Sequence, residues 1–67
     1  MSALSLMATD LDVARAARNL IAEHGTAAES IAMARAKNAE ESNQPAAAHT
    51  WRNIAAAVRG MRRGRDR

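Results

Sequence analysis

Few residues in this chain can do chemistry, and their spacing limits what they do. Six arginines, Arg52, Arg59, Arg62, Arg63, Arg65 and Arg67, are concentrated in residues 52–67. A guanidinium is a planar fork of donors that matches phosphate or carboxylate, so the run is a candidate phosphate or partner contact. Phosphate neutralisation would make any such binding fall steeply with salt. No aromatic residue is interleaved to stack on bases, and basic ends of this kind are commonly solubilising. A solvated end or a protein contact is therefore expected ahead of nucleic-acid binding.

The other chemistry-bearing side chains are sparser. His24 and His49 are the two histidines, cysteine is absent and Glu23 is the one acid beside them. That set lacks the ligand spacing of a zinc or facial-triad site, and no metal is expected. A histidine at position 24, near a helix end, would instead favour the last carbonyls when protonated. Nucleophilic catalysis needs a nucleophile, a base and an orienting group in a cleft that excludes water. A short alanine-rich chain offers no such cleft, and Gly25, Gly60 and Gly64 do not form a phosphate-binding loop. No enzymatic activity, cofactor or small-molecule substrate is expected.

Composition fixes the elements that must position these residues. The chain has 67 residues, eighteen of them alanine, one tryptophan and neither phenylalanine nor tyrosine. Alanine has the best helix propensity because it loses no side-chain entropy, and no run alternates β-branched with polar residues. The class is all-α. Without cysteine, neither a disulfide nor a thiolate metal site can staple a domain of this size. The opening MSALSLMA lacks a basic leader region, and no stretch approaches the ~20 apolar residues of a membrane span. A cytoplasmic location with no membrane partner is expected.

The first helix is predicted over 10–24, capped by Thr9 or Asp10 and ended by Gly25 in the left-handed conformation. Val13, Ala14, Ala17, Leu20, Ile21 and His24 make its apolar stripe. Then TAAE, Thr26 to Glu29, reads as a capping box opening a second helix over 27–41. Its face is thin, with Ala27, Ile31, Ala34 and Asn38 on one line and Ala28, Ala32, Arg35 and Ala39 on the next, and the small side chains on two adjacent lines suit the central member of a bundle. Glu40 and Glu41 at the negative dipole end weaken its close. A turn, SNQP, leads to a third helix over 45–62 with Pro45 in the first position. Ala47, Ala48, Trp51, Ile54, Ala55, Val58 and Met61 give it the strongest stripe, and Gly60 and Gly64 predict fading near Arg62 or Arg63. Short connections favour antiparallel neighbours.

The expected fold is an alanine-rich, up-down-up three-helix bundle or a helical hairpin with an extra helix. Residues 1–8 are expected to be disordered or loosely attached, 9–63 to form the domain and 64–67 a basic tail. Val13, Leu20, Ile21, Ile31, Trp51, Ile54 and Val58 are the expected core, with Trp51 its anchor. A helix-turn-helix reading of the Gly25 region fits poorly. Ile21 stands where a small residue should let the helices cross, and Arg35 and Lys37 come late for a recognition helix.

The order HG (His24, Gly25), ARA (Ala34 to Ala36) and W..I..A (Trp51, Ile54, Ala57) resembles a family of very short, uncharacterised α-helical proteins from proteobacteria. Where that family commonly carries Gly-Asp between its last two helices, this chain has SNQP. The resemblance implies structural roles for Trp51 and Ile54 and a helix boundary at HG, and it implies no activity.

Net charge is +3, yet residues 1–51 carry four Lys/Arg against six Asp/Glu. The positive charge is terminal, which bears on partners rather than on fold. With few bulky side chains and Leu11 and Met33 left off the stripes, the expectation is a non-enzymatic protein-interaction module. It would self-associate as a homo-oligomer or dock on another protein through the alanine-lined faces and the Trp51 stripe. The alternative is a nucleic-acid-associated accessory protein using the terminal arginines.

Overall fold

The computed structural model describes residues 10–65, and these residues are all-α. Helix α1 runs Asp10–His24, a 3-10 turn spans Gly25–Ala27, α2 runs Ala28–Glu41 and α3 runs Pro45–Arg65. The expectations for residues 1–8 and for capping by Thr9 lie outside the described residues. The architecture is a helical hairpin, α2 against α3, with α1 as the extra helix. The central element is α3 rather than α2: it packs against both other helices, while α1 and α2 meet little beyond the bend between them. Length explains this, because a helix of 21 residues rises about 30 Å at 1.5 Å per residue and can run beside α2 and still reach α1.

Gly25 makes the bend with φ +58°, and no atom lies within 4 Å of where its Cβ would be. Backbone conformation rather than crowding is therefore what asks for glycine. The expected capping box does not form. Ala27 precedes α2 in a right-handed helical conformation with no side-chain cap, and the Ala28 N–H donates to the Gly25 carbonyl. A capping side chain needs an extended residue at the helix entrance, and here the 3-10 turn replaces it, so Thr26 has no cap to make.

The second connection is better built than the sequence reading expects. Asn43 takes φ 60°, the Gln44 N–H donates to the Ala39 carbonyl at 2.8 Å, and the Asn43 N–H donates to that of Glu40 at 3.1 Å. This is a Schellman close with asparagine in the left-handed position. It satisfies the last carbonyls of α2 despite the unfavourable Glu40 and Glu41. Gln44 then accepts from the Ala48 N–H at 3.0 Å, so α3 starts at Pro45 as predicted. At its other end α3 does not fade at Arg62 or Arg63 but continues through both glycines to Arg65. Gly60 and Gly64 meet nothing within 4 Å of a Cβ position. A glycine inside a helix costs only about 0.5–1 kcal/mol relative to alanine, which weakens the helix without ending it.

Alanine dominates the interior. The buried residues are Ala17 and Leu20 of α1, Ala28, Ala32, Ala36 and Ala39 of α2, and Ala48, Ile54, Ala55 and Val58 of α3. The hairpin thus closes on methyl groups, which permit close approach of two backbones. Where the three helices meet, Ala17, Leu20, Ala28, Ala32, Ile54, Ala55 and Val58 form one cluster. Ala36, Ala39 and Ala48 continue the seam toward the hairpin turn without α1 over them. Of the expected core, Leu20, Ile54 and Val58 are buried, whereas Val13, Ile21, Ile31 and Trp51 are half-buried at its margin.

Candidate functional site

The arginines do not form one arm. Arg59 is held on Glu29 of α2, with Nε and Nη2 donating to the same carboxylate oxygen at 3.0 and 2.7 Å. Arg52 pairs with Glu40 of the same helix. Spacing of i, i+7 and i+11 puts Arg63 on the line of Arg52 and Arg59, past the end of α2, where it is exposed. Arg62 is half-buried, the Arg65 side chain lies outside the description although its backbone is helical, and Arg67 lies outside the described residues. Two of the six candidate contacts therefore pair across the edge of the hairpin with glutamates of α2.

Trp51 sits at the hairpin's edge beneath the Arg35 guanidinium, whose carbon is 5.1 Å from the ring centroid. That geometry is a cation–π contact, which ties Arg35 to the edge of the hairpin. Arg35 and Lys37 are both exposed, and the alanine line of α2 is turned into the seam. Both histidines are exposed; His24 Nε2 is 3.7 Å from Glu23 Oε1. Among the described residues no group of three His, Cys, Asp or Glu is placed to hold a metal. Among them, too, no helix is long and apolar enough to cross a membrane.

The surface that the fold leaves open lies elsewhere. Arg18, Ile21 and Ala22 of α1 and Met61 of α3 line a groove of about 450 Å³. It exists because α1 crosses the far part of α3 with Leu20 and Ala17 inward, leaving Ile21 and Met61 partly uncovered. Leu11, 65 % exposed, shares a line of α1 with Arg18 and Ala22 at i, i+7 and i+11, so the apolar character continues along the helix through half-buried Ala14. Met33, 47 % exposed, is a separate apolar side chain on α2.

Periodicity assigns Ile21 to the core stripe and leaves Arg18 off it, so spacing alone does not join them to Met61. A second line on α1, Leu11, Ala14, Arg18, Ile21 and Ala22, was legible from helical spacing. What periodicity does not supply is that the end of α3 lies alongside it. The alanine faces expected to dock a partner are largely used up inside the hairpin. No protein-family model matches this chain, and no curated protein or solved structure is significantly similar to it.

Proposed function

We propose that the chain is a small, non-enzymatic helical protein-interaction module working in the cytoplasm. Its binding surface is the outer side of α1 together with the end of α3. The observation that carries this reading is the distribution of apolar side chains. Among the described residues the interior buries only Leu20, Ile54 and Val58 of those larger than alanine, while Ile21 and Met61 border a groove and Leu11 projects beyond it. A domain so small gains little from its own core, and burial of this face in a complex stabilises it by mass action.

The occupant is a second copy or another protein. Sedimentation equilibrium from low to high micromolar concentration separates the two. A mass rising above 7.2 kDa identifies self-association, and a constant mass directs the surface to a different chain. A sharply melting monomer that binds no polypeptide removes the reading.

The nucleic-acid alternative is narrowed, since Arg52 and Arg59 are engaged by glutamates. It retains Arg62, Arg63 and the arginines beyond them. A log affinity against log salt plot for duplex DNA with negligible slope removes it.

A further inference from the structure

Resting on that reading, we propose that the groove between α1 and the end of α3 takes an acidic amphipathic helix from another protein. Its apolar anchors sit on Ile21, Ala22 and Met61, and its carboxylates face Arg18. Apolar anchors spaced at i, i+3/i+4 and i+7 in a hydrophobic groove are a recurring mode of helix recognition, and among the described residues Ile21, Ala22 and Met61 give this groove an apolar lining.

Charge selects the partner. Among the described residues of the lining Arg18 carries the charge, and exposed Arg15 stands one turn before it on α1. On α2, Glu29 and Glu40 are already engaged by Arg59 and Arg52. The carboxylate next to Ala22, Glu23, is turned about 100° around the helix and lies toward His24. A second copy fits this groove poorly. A two-fold dimer pairs a patch with itself, so a patch bearing Arg15 and Arg18 would bring two sets of like charges into one interface, where they repel. A phosphate backbone fits poorly too, because it leaves the apolar lining unfilled.

The test uses the full chain and a fluorescein-labelled peptide of roughly 18 residues, long enough to form a helix, with leucines on one face and glutamates elsewhere. Binding is followed by anisotropy at about 0.15 M salt. Arg18→Glu and Ala22→Glu, both at exposed positions, are expected to weaken binding about tenfold or more. Lys37→Glu on α2 makes the same charge change as Arg18→Glu away from the groove, and is expected to stay within about twofold. Circular dichroism checks that each variant is folded.

Equal losses in Arg18→Glu and Lys37→Glu would reduce the effect to net charge and overturn the proposal. So would undiminished binding of a peptide with serine for leucine, or with lysine for glutamate. Tighter, Arg18-dependent binding of a DNA duplex would overturn it in favour of nucleic acid. If the chain instead self-associates and Ala22→Glu abolishes that association, the interaction-module reading survives and the acidic-helix inference falls. A monomer that binds no acidic peptide overturns the acidic-helix inference alone; the interaction-module reading falls with it only if that monomer also melts sharply and binds no other polypeptide.

Discussion

The Trp51 indole is half-buried under Arg35 rather than enclosed, and this sets what its removal costs. Full burial of a tryptophan would make truncation to alanine cost about 3–5 kcal/mol. With one face on the core and the other under a guanidinium, Trp51→Ala is expected to lose roughly half of that, about 1.5–2.5 kcal/mol, in urea unfolding. Arg35→Ala should lose about 0.5–1 kcal/mol, and the double variant should show that the two losses overlap. A Trp51→Ala loss above about 4 kcal/mol would mean that the ring is enclosed after all. The Glu29–Arg59 pair is also edge chemistry, since the Arg59 side chain is 62 % exposed. A double-mutant cycle is expected to give a coupling of about 0.5–1 kcal/mol that shrinks as salt is raised toward about 1 M. Both contacts were hidden in the sequence for one reason: helical spacing shows which residues share a line, and says nothing of which line on another helix lies opposite. Glu29 read locally is half of a capping box; in the fold it reaches a residue thirty positions away.

At the level of elements, the helices themselves were legible, because alanine content, Gly25 and Pro45 act locally. Where local signals compete, the outcome depends on packing. Glycines at 60 and 64 predicted an early end to α3, yet the helix continues to Arg65. Its seat against α2 and α1 supplies what propensity lacks, since most helical stability in proteins comes from packing of one face. Gly60→Ala is therefore expected to stabilise the fold by about 0.5–1 kcal/mol, with space for the added methyl already present. An unchanged melting curve would mean that this turn frays in solution. Gly25→Ala should act in the opposite sense by about 1–2 kcal/mol, because an alanine there is held at positive φ. Asn43, also at positive φ, marks the turn that the sequence reading saw as SNQP without seeing its mechanism. Asparagine tolerates that conformation by local hydrogen bonding, so it signals a helix close as glycine does, though less loudly.

Across the whole molecule, the seam between α2 and α3 is made of methyl groups, and this has a consequence opposite in sign to the thinness of the core. A thin interior invites filling, but the four buried positions of α2 are alanines, at which added bulk would push α3 away along its length. Ala36, 2 % exposed, lies in the part of the seam that α1 does not cover, with Ala39 and Ala48 continuing it. Ala36→Leu is therefore expected to cost about 1–3 kcal/mol by overpacking, a large share of the roughly 3–10 kcal/mol available to a domain of this length. Ala34→Leu, two residues away and exposed, should stay within about 0.5 kcal/mol. Both variants are compared by urea unfolding, and a crystal or solution structure of the first would show the hairpin splayed at its turn. If Ala36→Leu were instead neutral, the helices would stand far enough apart to accept a leucine. The seam would then be loosely packed, and the apolar material missing from the interior would have to come from a partner lying against the hairpin rather than against α1.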